Sequence, residues 1–149
     1  VATTESSLKT RFLTAARRVA VAMGLKLHHQ CIEDSLSSGI PDINLCFDGV
    51  ETWVEAKVLE AWPKRPTTGV RVAHFTAEQA LWLELRAEAG GRAWLMLQVE
   101  SETLFLSPSV ARMLFRRELT QEALRQSADL ICGRSFSQSD VERVLYYSI

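Results

Sequence analysis

The stretch whose reading decides the fold is SGIPDINLCFDGVETWVEAKVL, residues 38–59. It reads as two short strands joined by Asp48-Gly49. Asp-Gly between alternating apolar residues is a strong hairpin signal, because both turn positions take positive φ and these residues tolerate it. With a two-residue loop the register follows: Phe47 pairs with Val50, Leu45 with Thr52 and Ile43 with Val54. All six are uncharged and five are apolar, so that face belongs to the core. The other face carries Cys46 opposite Glu51, Asn44 opposite Trp53 and Asp42 opposite Glu55. Side chains alternate along a strand, so Lys57 shares this second face, diagonal to Asp42.

Two acids directly opposed on an antiparallel pair have Cβ atoms about 4.5–5.5 Å apart and destabilise it. A divalent cation between them removes the objection. Mg²⁺ prefers one or two carboxylates together with waters and substrate phosphate oxygens. Metal-assisted phosphodiester hydrolysis is the chemistry this pairing suggests. The alternative is a frayed, solvated strand pair with two exposed acids, since a bulge or a longer turn breaks the register.

At this point the residues resemble a family. Pro41-Asp42, followed by Glu55-Ala56-Lys57, resembles the signature of the PD-(D/E)XK nucleases. Gly39 before it, and Phe75-Thr76-Ala77-Glu78-Gln79 beyond it, resemble the branch that holds VRR-NUC domains and the archaeal-type and phage Holliday-junction resolvases. The resemblance runs from about Glu5 to Val99. It implies a restriction-endonuclease-like α/β fold: helix, three strands, helix, strand, around a mixed central sheet. It also implies a Mg²⁺-dependent endodeoxyribonuclease in which Mn²⁺ substitutes. Asp42 and Glu55 would bind the metal, with the Ala56 carbonyl as a third ligand. Glu5, matching an acid on the first helix of many such nucleases, would hold a second metal or an outer-shell water. Lys57 would act beside the scissile phosphate as a base or a charge stabiliser, and Gln79 near it. The expected substrate is branched DNA, a four-way junction above all. A symmetric homodimer suits that substrate, because its two sites match a two-fold junction. Other readings are a nickase, a DNA-end-processing or restriction-type enzyme, or a catalytically idle DNA-binding subunit.

The bulk properties fit. A length of 149 residues suits one domain with a sizeable core. We expect that core over about residues 4–106, with a small helical extension over about 107–149. A net charge of −1 does not advertise a nucleic-acid binder, but the charge is segregated. Val1 to Gln30 carries five bases and one acid, Cys31 to Ala61 seven acids and one base, and Trp62 to Phe75 three bases and no acid. An acidic centre between basic flanks fits a metal site inside a phosphate-binding surface. The three widely spaced cysteines suggest buried thiols in a reducing compartment rather than a disulfide frame. No apolar run is long enough to span a membrane and no secretion signal opens the chain. The expected location is therefore the cytoplasm, and a phage-encoded enzyme acting in its host would suit the resemblance.

Along the chain, Leu8, Phe12, Ala15, Ala16, Val19 and Met23 recur at helical spacing from about Thr4. Glu5 falls on the same inward face. Lys26 to Ile32 reads as a strand, whose neighbouring His28 and His29 point to opposite faces and so do not share an ion. Glu33 to Ser38 reads as a polar loop. Leu59 to Phe75, with its prolines and Gly69, reads as a loop that grips DNA through Lys64, Arg65 and Arg71 and orders on binding it. Thr76 with Gln79 forms a capping box and opens a helix that Gly90-Gly91 ends. In that helix Trp82, Leu85 and Ala89 are expected to face the sheet, and Glu84 and Glu88 the water. Ala93 to Val99 reads as a central strand and Thr103 to Leu106 as an edge strand. Ser107-Pro108 open a helix running to about Arg117, with Arg112, Arg116 and Arg117 on one side. Thr120 caps another short helix, and Ser137 or Ser139 a last one.

Overall fold

The computed structural model describes residues 4–33 and 39–147, so most of the expected Glu33–Ser38 loop lies outside the described residues. Among the described residues five helices flank a mixed six-stranded sheet whose strands lie in chain order. Helix α1 (Glu5–Met23) is capped reciprocally by Thr4 and Ser7 and ends at Gly24, whose φ of 68° suits glycine. Its buried line is the expected one, from Leu8 and Phe12 to Val19.

Strand β1 (Leu27–Cys31) pairs antiparallel with β2 (Ile43–Phe47), which pairs antiparallel with β3 (Val50–Leu59). The hairpin register is the expected one, with Phe47 opposite Val50 and Ile43 opposite Val54. Asp48 and Gly49 have φ of 47° and 84°, as a two-residue turn between twisted strands requires. Parallel neighbours need a crossover. Here the crossover is the 59–75 loop and helix α2 (Ala77–Glu88), which deliver β4 (Ala93–Val99) parallel to β3. Every residue of β4 is buried, as a strand covered on both faces must be.

Several expectations need correcting. First, β5 (Glu102–Leu106) is not an edge: β6 (Leu130–Cys132) pairs outside it. Three residues are too few to show an alternation, so β6 carries no periodic signal. Second, the C-terminal segment is neither purely helical nor an appendage. Between α3 (Pro108–Phe115), α4 (Gln121–Ser127) and α5 (Gln138–Leu145) it contributes β6, and α5 buries Val141, Val144 and Leu145 in the same core as α1. The Val144 carbonyl accepts from Trp94 Nε1 at 3.0 Å and Arg92 Nε at 2.8 Å, which ties α5 to β4. Third, α2 buries Ala80 and Leu83, while Leu85 is 54% exposed and Ala89 is also exposed. The helix packs on α3 as well as on the sheet, and Arg112 of α3 reaches the half-buried Glu84 at 3.0 Å. Fourth, Cys31 is exposed and Cys46 half-buried; only Cys132 is a buried thiol, and none is disulfide-bonded.

Two apolar layers therefore sandwich the sheet. One joins α1 and α5 to Ile43, Leu45, Phe47, Val54 and Trp94. The other joins α2, α3 and α4 to Leu95, Leu97, Leu104 and Leu106. The 59–75 loop is seated in this second layer by Val70, Val72 and Phe75, and the Val70 N–H donates to the Leu119 carbonyl at 2.8 Å. These contacts anchor the segment on the α2–α3 side of the sheet. Arg117, at φ of 59°, stands past the end of α3, so that helix is shorter than the expected run to Arg117. Among the described residues no helix is long and apolar enough to cross a membrane.

Because Leu145 is fully buried in the α1 layer, Leu145→Ala should lower the unfolding free energy by about 2–4 kcal/mol. Urea denaturation measures it, and a change near zero would place α5 outside the core.

Candidate active site

The site forms where β3 outruns β2. Their ladder stops at Ile43–Val54, leaving the next β3 groups without a strand partner on that edge. Asp42 fills the gap. Its carbonyl accepts from the Ile32 N–H at 2.8 Å, and its carboxylate Oδ2 accepts from the Ala56 N–H at 2.9 Å. A side chain thus stands in for a ladder bond, and it sets Asp42 beside Glu55. Along a strand the N–H and C=O of one residue leave on the same edge, so the Ala56 carbonyl also points toward Asp42.

The segment before Asp42 is held against α2. Gly39 has φ of 86°, and a Cβ there would lie 2.4 Å from the Glu78 carbonyl oxygen and 3.0 Å from the Gln79 nitrogen. Only glycine allows this approach. It brings the first turn of α2 to the acids, where Gln79 has two roles. Its Oε1 accepts from the Thr76 N–H at 3.0 Å, completing the capping box, while its Nε2 lies 3.5 Å from Glu55 Oε2. Capping and site contact coexist because the amide presents an acceptor and a donor in opposite directions.

Lys57 completes the cluster. Its Nζ is 3.4 Å from Glu55 Oε2 and 3.4 Å from Glu5 Oε1. The Lys57 and Glu55 side chains are 7% and 2% exposed, whereas Glu5, at the start of α1, is 43% exposed. Burial, then the Asp42 charge and a hydrogen bond to Asp42, push the Glu55 carboxyl up to about 9; Lys57 pulls the other way but does not win. Glu55 Oε1 is buried with no hydrogen-bond partner.

An orphaned buried carboxylate oxygen beside a second acid is what a cation would satisfy. Among the described residues no group of three or more His, Cys, Asp or Glu side chains could hold a metal ion. The donors are two carboxylates and one backbone carbonyl, all oxygen. That set fits a hard, hydrated ion such as Mg²⁺ or Mn²⁺ and does not fit the nitrogen- and sulfur-rich shell zinc prefers.

The remaining candidates lie elsewhere. His29 Nε2 is 3.0 Å from an Arg17 guanidinium nitrogen, and burial, then the Arg17 charge, hold its pKa below the usual histidine range. Lys64 lines a surface groove with Glu122 and Arg125, and Arg71 lines another with Phe115 and Arg117; neither groove includes the acids. Arg65 is exposed on the same loop. One residue escaped the sequence reading: Gln98, almost fully buried on β4, across the ladder from Val58. Its signal was the single polar side chain within AWLMLQV.

No protein-family model and no curated protein sequence matches this chain.

A carboxyl whose folded pKa lies above its unfolded value binds its proton more tightly in the folded protein. Its stabilising contribution is full below the unfolded pKa, near 4.5, and is lost as pH rises toward the folded value, about 9. In metal-free buffer the melting temperature of the wild type should therefore fall relative to Glu55→Gln between those limits. Parallel melting profiles for the two proteins would contradict the buried-acid assignment.

Proposed function

We propose that this protein is a metal-dependent DNA endonuclease of the PD-(D/E)XK type that hydrolyses phosphodiesters in branched DNA, in the manner of a Holliday-junction resolvase. One observation carries the reading. Asp42, Glu55 and Lys57 converge where β3 outruns β2, with a buried Glu55 oxygen left unpaired.

Asp42, Glu55 and the Ala56 carbonyl are the groups that would hold Mg²⁺, with Mn²⁺ as a substitute. When bound, the ion supplies Lewis acidity toward the phosphoryl oxygen and eases deprotonation of water. The chain's own residues do the rest. The Ala56 N–H fixes the Asp42 carboxylate, so the acid needs no rearrangement. Lys57, paired with Glu5 and Glu55, brings positive charge to the face where phosphate would lie. There it offsets the negative charge that grows on the phosphoryl oxygens as attack proceeds. Gln79 offers an N–H beside Glu55 to orient the attacking water. In hydrolysis the water oxygen bonds to phosphorus, the phosphorus–oxygen ester bond breaks, and the departing oxygen gains a proton. Glu5, partly exposed and paired with Lys57, positions the amine and is the residue that would hold an outer-shell water or a second ion.

The substrate class follows from what surrounds this chemistry. No helix-turn-helix or zinc finger was legible for reading bases, which favours recognition of DNA shape and backbone. A homodimer would present two such sites to the two continuous strands of a four-way junction.

Supercoiled plasmid in Mg²⁺ should be nicked by the wild type, and Lys57→Ala should cut about 10²–10³-fold more slowly. Equal cutting by both would remove the mechanism. Linear, flap and four-way substrates compared side by side should rank the four-way junction first.

A further inference from the structure

A basic groove runs along α1 on its way from the carboxylates. Thr10, Arg11, Thr14 and Arg18 line one wall and Arg134 and Ser135 the other, around a cavity of about 250 Å³. Three guanidiniums share this groove with two threonine hydroxyls and no carboxylate. Among the described residues none of the three forms an ion pair; the five pairs found engage Lys57, Arg86, Arg112 and Arg125.

The arrangement is built rather than incidental. Arg11 donates to the Arg134 carbonyl at 2.8 Å and to the Gln98 side chain, and Arg18 donates to the Phe136 carbonyl at 2.8 Å. These are neutral acceptors, so they fix the guanidiniums without cancelling their charge. Each guanidinium has five N–H groups, and these bonds leave donors free. Burial, and then the Arg134 charge, hold the Arg11 pKa below its usual value. Like charges held together without a counter-charge cost energy that an anion removes.

The position gives the anion its identity. Gln98, which Arg11 holds, sits across the ladder from Val58, the residue after Lys57. Val58 and Lys57 point to opposite faces of the sheet, so the groove meets the site by way of α1, whose Glu5 pairs with Lys57 six residues before Arg11, about 9 Å along the helix axis. Arg11 and Arg18 are seven residues apart, about 10.5 Å along the helix axis, with Thr14 between them. Charges spread along a channel suit a repeating polyanion better than one small ion.

We propose that the groove formed by Arg11, Thr14, Arg18 and Arg134 is the track for the sugar–phosphate backbone of the DNA that enters the active site. This rests on the nuclease reading only for the identity of the ligand.

The test is fluorescence anisotropy of a fluorescein-labelled four-way junction and of a duplex, without divalent metal. Arg134→Ala, Arg134→Glu and Thr14→Glu alter the groove without touching the Arg11 and Arg18 bonds that hold backbone carbonyls, and circular dichroism confirms the native fold of each. Binding to both DNAs should weaken about three- to tenfold, and the slope of log affinity against log salt should shrink by about one for Arg134→Ala. Unchanged affinity and slope in all three variants would overturn the track. So would Arg134-dependent binding of inorganic phosphate alongside DNA binding that ignores Arg134, which would mark a small-anion site. Lys57→Ala run in parallel separates the two ideas. If no protein cuts DNA yet binding still depends on Arg134, the nuclease reading fails and the groove stands.

Discussion

Everything at this site depends on one substituted hydrogen bond. The β2–β3 ladder ends at Ile43–Val54, and the Ala56 N–H beyond it must find another acceptor. It finds the Asp42 carboxylate at 2.9 Å. The consequence is electrostatic: a bond that satisfies the backbone brings a second acid up to the buried Glu55. The fold satisfies one polar group by bringing two acids together; burial first, and then the Asp42 charge, push the Glu55 pKa up, and its Oε1 is left unpaired.

The surroundings stop the conflict from relaxing. β3 lies between β2 and the wholly buried β4, and apolar layers cover both faces of the sheet. Glu55 and Lys57 therefore have little water to turn to. The Gly39 backbone lies against the first turn of α2, so the loop bearing Asp42 and the helix bearing Gln79 are held together. A rigid support of this kind keeps charged groups where solvent would otherwise reorganise around them, which is the condition under which electrostatics act most strongly on a reaction.

Much of this was legible in the order of residues. Asp48-Gly49 flanked by strict alternation set the register as far as Ile43 opposite Val54. The expected Asp42–Glu55 rung lies past the end of that ladder, and Asp42 comes beside Glu55 through its carboxylate on the Ala56 N–H instead. The spacing of apolar residues in α1 put Glu5 on the side where it meets Lys57. Thr76 and Gln79 announced a cap, and the cap turned out to be compatible with a contact to Glu55. What could not be read were relations between distant segments. The α2 face was misjudged because a helix wedged between a sheet and α3 follows Ala80 and Leu83 rather than its largest side chains. β6 is too short to have a period. Val70 and Val72 anchor a loop whose prolines, glycine and basic residues suggested freedom, and that anchoring leaves Lys64 and Arg71 in grooves apart from the acids. The α1 groove was invisible for the same reason: Arg134 is far from Arg11 in sequence and is brought over by the β6–α5 connection.

The central claim is that the two acids share one cation. Crystals soaked in Mn²⁺ and measured for anomalous scattering test it most directly. The account predicts a single strong peak bonded by Asp42 and Glu55, next to the Ala56 carbonyl. Well-ordered crystals with no peak there, or with Mn²⁺ bound only at other carboxylates, would contradict it.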